Sequence, residues 1–253
     1  MLKLIACNVF WREACLAIAE SPHVIDADFT EVGEHIHCDS LRSIIQAKID
    51  TADESGRNYD AIVLLYGLCG NAGVGLRSRS SPLIMPRAHD CCTTLLGSKT
   101  RFHELFGDNP STPFSSTGYM ERGNYFMRVD EDGSSILYGD EYASYVERYG
   151  EENARYIWDT LHPKRNGSTD NRAIFIDIPE TAHLGYAGKF REKAEAEGKN
   201  YVRVEGSMRL IRDLLSGKWN GEDFLIVEPG RKTAGVYDWE EIIRAVEDTD
   251  KKQ

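Results

Sequence analysis

The stretch YDAIVLLYGLCGN, residues 59–71, decides how this chain is read. Residues 59–66 are an almost unbroken apolar run, too short for a helix and closed by Gly67. Such a run reads as a strand buried on both faces. Strands of that kind belong to parallel sheets covered by helices. Working outward, short apolar runs recur at 2–6 (LKLIA), 24–32 (VIDADFTEV), 82–86 (PLIMP), 173–178 (AIFIDI), 200–205 (NYVRVE) and 223–227 (DFLIV). Between them lie segments of helical composition at 12–20, 40–54, 91–106 with a break near Gly97, 183–197, 207–216 and 238–247. Asp39 and Ser40 form a cap, and Leu41, Ile44, Ile45 and Ile49 keep helical spacing. The alternation predicts an α/β fold with a parallel, doubly wound, Rossmann-like sheet.

Two stretches rhyme: YDAIVLLYG at 59–67 and EDFLIVEPG at 222–230. They suggest two similar halves, 1–106 and 172–253, within a single α/β domain. A loop and helical insert at 107–171 would join them: residues 107–139 rich in Pro, Ser, Thr and Gly, a helical stretch at 140–161, and a polar linker at 162–172.

The chain has 253 residues, with 41 acidic and 30 basic side chains and a net charge of −11. A basic face is the usual footprint of a nucleic-acid binder, so this balance argues against nucleic acid, and it disfavours anionic membrane surfaces. No apolar run reaches the length of a transmembrane helix. The apolar start is broken by Asn8, Arg12 and Glu13, so it does not read as a secretion signal. A cytoplasmic location follows, and six cysteines there are expected to be thiols or metal ligands rather than disulfides.

In open α/β sheets, ligands bind beyond the carboxyl ends of the parallel strands. Cys7 and Asn8 follow the first run, His35, His37 and Cys38 the second, Gly67 to Asn71 the third, and Arg87 to Cys92 the fourth. Thiols and imidazoles thus recur along one edge. Cys7, Cys69, His89 and Cys91 are the predicted metal ligands, with Cys92 as a substitute for Cys91, because sulfur and imidazole are the donors zinc and iron prefer. Small buried cysteines at strand ends are the competing explanation. Cys15, mid-helix, is expected in the core. His37 serves as a further ligand or general base. Arg87 is placed to grip a carboxylate or phosphate, or to form a structural ion pair. Glu121 and Glu228, in Gly-bounded segments, suit acid/base work. The loop GLCGNAGVGL at 67–76 offers Gly67, Gly70, Asn71 and Gly73 as cofactor-binding positions. Its spacing is not the dinucleotide fingerprint, and it lacks the Lys and Ser/Thr of a P-loop.

YGLCGN at 66–71, PRAHDC at 86–91 and LLGS at 95–98 resemble a prokaryotic family catalogued only as a domain of unknown function, abundant in methanogenic archaea and anaerobic bacteria. The likeness extends to Cys7, to His37 in IHCDSLR, and to Gly217, Trp219, Asp223, Phe224 and Pro229-Gly230. The chain departs from the family pattern at Cys92 and Ala72. Genes of that family often lie near corrinoid-dependent methyltransferase systems, so the resemblance implies a link to methyl-group metabolism and a corrinoid or methyltransferase protein as partner.

The reading that combines these features is a metal-dependent enzyme acting on a small molecule, linked to methyl-group transfer, with zinc as cofactor. Three alternatives stand beside it. The same thiols suit an iron–sulfur cluster. A non-enzymatic accessory protein carrying metal or cofactor would use a closed four-ligand site. An S-adenosylmethionine- or nucleotide-binding enzyme would use the 67–76 loop.

Overall fold

A computed structural model describes residues 1–31, 38–109, 112–123, 151, 171–236 and 238–249. Along the chain run β1 (Leu2–Cys7), α1 (Trp11–Glu20), β2 (Ile25–Thr30), α2 (Cys38–Glu54), β3 (Ala61–Leu65), β4 (Leu83–Pro86), α3 (Cys91–Leu96) and α4 (Lys99–Phe106). There follow β5 (Phe114–Ser116), β6 (Arg172–Asp177), α5 (Tyr186–Ala196), β7 (Asn200–Glu205), α6 (Arg209–Leu215), β8 (Phe224–Val227), β9 (Arg231–Gly235) and β10 (Ile243–Glu247). The helix read at 140–161 falls almost wholly outside the described residues.

The α/β class holds. The larger sheet has the strand order β2-β1-β3-β4-β8, parallel through its first four strands. β8 departs from the parallel expectation: it pairs antiparallel with β4, Pro86 opposite Phe224. The rhyming stretches therefore occupy different places, β3 near the centre and β8 at an edge. A smaller sheet, β5-β6-β7, is parallel throughout, and β9 and β10 form an antiparallel hairpin.

Every residue of β1 and β3 is buried. In β1 this includes Lys3, whose ammonium lies 3.3 Å from Asp26 and 2.9 Å from Asp28 on β2. The alternating acids of β2 thus balance the one charge that β1 takes into the sheet. Leu41, Ile45, Ile49 and Ala52 form the buried stripe of α2; burying each of the larger three is worth about 2 kcal/mol. In β6 the period of two divides the strand: Ile174 and Ile176 join the main core, while Ala173 and Phe175 pack on Phe190 and Ala194 of α5.

The expected break near Gly97 is real. Asp90 caps α3, accepting from the amides of Cys92 and Thr93, and α3 ends at Gly97 with φ +73°. Ser98 then caps α4. The predicted helix at 238–247 is instead a turn and a strand. The Asp238 carboxylate accepts from the amides of Glu240, Glu241 and Ile242, and Ile243–Glu247 pairs with β9. Helical composition there yields to the hydrogen bonds a neighbouring strand supplies. β5 and β9, short and polar, had no apolar signal in the sequence.

Two glycines make opposite predictions. A Cβ on Gly118 would sit 1.6 Å from the Val9 carbonyl, so the 117–119 segment touches the turn after β1 only because residue 118 has no side chain. A Cβ on Gly188, inside α5, would meet nothing. Gly118→Ala should destabilise by about 3 kcal/mol or more, whereas Gly188→Ala should stabilise by roughly 0.5–1 kcal/mol. Denaturant unfolding of the two variants checks both; a neutral Gly118→Ala would contradict the close approach.

Candidate functional site

The strand ends of the larger sheet carry the chemistry. β3 runs on through Tyr66 into a turn in which Cys69, Gly70 and Asn71 all have positive φ, at 46°, 62° and 74°. Left-handed backbone is unfavourable for cysteine, and such residues concentrate at functional sites. What holds the turn is its neighbour: the amides of Leu68 and Cys69 donate to the carbonyls of Ala88 and His89, each at 2.9 Å. Gly67 permits this, since a Cβ there would lie 2.8 Å from the Ala88 carbonyl and from the Asp90 backbone. Gly73 packs likewise on the Gly67 carbonyl.

These contacts bring the thiols to one edge of the sheet. Cys7 ends β1, Cys69 lies in the turn after β3, and Cys91 opens α3 after β4; all three are buried. Cys69 is close enough to Cys7, Cys38 and Asp90, and Cys91 to Asp90, Cys69 and Cys7, to feel their charge. Burial pushes the Cys7 thiol up to about 12, and raises Cys69 and Cys91 above the ordinary thiol range. All three are therefore neutral thiols unless a cation joins them. Asp90 is raised to about 6 by burial, although two backbone amides favour its charged form. None of the six cysteines forms a disulfide. Among the described residues, no three His, Cys, Asp or Glu side chains already stand in a metal-holding arrangement.

Polar groups lie around the thiols, and of these the sequence singled out Asn8 alone. The Cys91 Sγ and Tyr119 Oη share a hydrogen bond of 2.6 Å. Tyr66 Oη and Thr30 Oγ1 share another, also 2.6 Å and buried. Asn8, next to Cys7, donates to Glu31 at 2.7 Å while its Oδ1 is buried without a partner. Tyr119 lies far along the chain and arrives through the Gly118–Val9 contact, which no local pattern reveals.

The other predicted residues go elsewhere. His89 turns its ring onto Phe102 at 5.7 Å and Trp239 at 5.2 Å, and burial lowers its pKa. Cys92 is wholly buried in the core. Arg87 grips three backbone carbonyls, those of Gly221, Glu241 and Ile243, and so ties the β9–β10 hairpin to the end of β4; it is a structural clamp rather than an anion site. Glu121 is held by a bidentate pair with Arg12 at 2.7–2.9 Å, which keeps its carboxylate charged and unsuited to acid catalysis. In the 67–76 loop the amides of Leu68, Cys69, Ala72, Gly73, Val74, Gly75 and Leu76 bond within the protein. Its glycines serve tight turns and close packing, and the amides a phosphate cradle would need are largely spent. Cys15 is exposed on α1 rather than in the core. His37 lies outside the described residues.

One group was missed altogether. Glu13 is 1% exposed on the inner face of α1, and neither of its carboxylate oxygens has a partner. Its place beside Phe10, Ala14 and Ala17 on an apolar helical stripe was the available signal. Burial, with Glu121 and Glu180 nearby and Arg12 partly opposing them, raises its pKa from 4.5 to about 7. Between those values the folded chain holds a proton that the unfolded chain has lost, so stability falls as pH rises through that window. The span corresponds to about 3 kcal/mol. Glu13→Gln should flatten this slope and be the more stable chain at pH 8. Parallel stability–pH curves for wild type and variant would contradict the assignment.

Comparison with known proteins adds one match. Residues 29–215, about three quarters of the chain, fit the model of a family described as a protein of unknown function, DUF1638. The matched span holds Cys38, Cys69, His89 and Cys91 and leaves Cys7 outside. No curated protein and no solved structure matches. No described helix is long and apolar enough to cross a membrane. The chain belongs to the DUF1638 family.

Proposed function

We propose that this protein is a metal-dependent enzyme acting on a small molecule, with a centre held by the thiols of Cys7, Cys69 and Cys91. The observation that carries the reading is the placement of three buried thiols at neighbouring strand ends, near enough to feel one another's charge, with Cys69 on a turn held in left-handed backbone. A soft cation would convert the buried neutral thiols into charged ligands and reverse the electrostatics of Cys69 and Cys91 beside Asp90.

Zinc fits the donor chemistry, and when bound it would hold a substrate thiol as a reactive thiolate. A sulfur-rich donor set supplies much negative charge, which favours a nucleophilic bound thiolate over a strongly acidic bound water. That supports alkyl transfer, and the family resemblance points to a methyl group and to a corrinoid or methyltransferase protein as donor. The chain's own residues set the scene: Tyr119 fixes the Cys91 sulfur, and the unpartnered Asn8 Oδ1 is a buried acceptor ready for a substrate donor. His89 packs its ring with Phe102 and Trp239, while its Nε2 is buried without a partner and stays the candidate nitrogen donor.

An iron–sulfur cluster on the same thiols is the second reading, favoured by their number and burial alone; a visible absorption spectrum separates it from zinc. Metal analysis of reduced, anaerobically purified protein tests the proposal. About one zinc per chain is expected. Cys69→Ser should lose most of it, since serine keeps the size and loses the soft sulfur, while Cys15→Ser, at an exposed helix position, should keep it. Equal metal in the two variants would overturn the assignment of Cys69.

A further inference from the structure

One buried carboxyl lies apart from the thiols. Glu13, on the inner face of α1, is 1% exposed, and neither of its oxygens has a partner. A second buried polar atom without a partner, the Ser116 Oγ, stands at the end of β5. Ser116 pairs in register with Ile176 of β6, and Ile176 packs in the main core, so the serine side chain is on the sheet face turned toward that core. Three segments meet around Glu13. Val9, about one helical turn before it, lies against Gly118, two residues beyond Ser116. Glu13 is close enough to Glu121 and Glu180 to feel their charge. Thr181, next to Glu180, donates to the Thr117 hydroxyl at 3.4 Å and joins the last two segments to each other.

The neighbouring charges are matched to one another and leave Glu13 out. Arg12 is spent on Glu121, which Tyr186 also reaches, and Arg212 on Glu20 and Glu180. Arg122 lies over the Trp11 ring. An ionised Glu13 only accepts hydrogen bonds, and the Ser116 hydroxyl accepts as well as donates. Such a pair calls for a positive charge that carries its own N–H donors. A divalent metal does not fit, since no three His, Cys, Asp or Glu side chains among the described residues stand in a metal-holding arrangement. We infer that the junction of α1 with the 116–121 and 178–181 segments binds the ammonium group of a small amine, with Glu13 as its counter-ion and Ser116 as a further acceptor. The inference goes beyond the metal reading and does not rest on it, because none of the residues involved is a thiol.

Ethylammonium chloride is the probe, titrated into the full chain beside potassium chloride at equal concentration, with binding read from the amide chemical shifts of α1 and residues 114–121. An alkylammonium stays charged between pH 6 and pH 8, whereas Glu13, raised to about 7, ionises across that range. With only the ionised carboxyl competent to bind, the apparent affinity should rise about tenfold from pH 6 to pH 8. Binding should also displace the Glu13 proton to solvent, about half a proton per bound amine at pH 7; that measurement needs no variant to fold. Glu13→Gln keeps the size and loses the charge. It should weaken binding at pH 8 by about tenfold or more and remove the pH dependence. Ser116→Ala should weaken it by about fivefold, one neutral hydrogen bond. Equal binding by wild type and Glu13→Gln would overturn the counter-ion. Equal shifts with potassium would show a general effect of cations and overturn the site. No shift with ethylammonium at either pH would overturn it as well, as would proton uptake in place of release.

Discussion

Two backbone hydrogen bonds, from Leu68 and Cys69 to the carbonyls of Ala88 and His89, lock the loop after β3 to the loop after β4. The metal centre proposed for this protein depends on that junction. It requires Gly67, whose missing side chain lets the two backbones meet, and it holds Cys69 in a conformation that cysteine adopts only under constraint. The strain is offset by the fully buried strands on either side, β3 and β4. Once the loops are joined, Cys69 and Cys91 are neighbours. β1, parallel to β3 with Ala6 opposite Leu65, then brings Cys7 to the same edge.

The smaller sheet contributes at that edge as well. Gly118 lies directly on the Val9 carbonyl, which brings Tyr119 to Cys91. Thr181, beyond the end of β6, reaches Thr117 at 3.4 Å, so the carboxyl ends of β5 and β6 approach the same region. Polar atoms left without partners are gathered in the segments around it: Asn8 Oδ1, Ser116 Oγ and both Glu13 oxygens. Buried groups of this kind cost stability unless something satisfies them, and binding regions are where proteins tolerate that cost.

The sequence was most informative where one local rule dominated. The apolar run at 59–66 and the break at Gly97 each specify their element with little help from tertiary contacts, and each appears as read. Strand-end placement of Cys7, Cys69 and Cys91 follows from the α/β rule alone. What could not be read depended on partners distant in sequence. Ile243–Glu247 is a strand because β9 lies beside it, and β8 reverses direction because β4 offers an open edge. Arg87 looks like an anion site until the hairpin carbonyls that occupy it are in place. His89 is adjacent to Asp90 and Cys91 in sequence, and the aromatic surface that α4 and Trp239 provide for its ring could not be read there.

The thiols at this sheet edge are proposed to bind metal together. X-ray absorption at the zinc edge of the zinc-loaded, reduced chain addresses it most directly, because sulfur and lighter donors sit at different distances from the metal. A shell dominated by sulfur at about 2.3 Å is expected. A shell of nitrogen and oxygen at about 2.0–2.1 Å, without sulfur, would show that the metal binds elsewhere and that the gathered cysteines are packing.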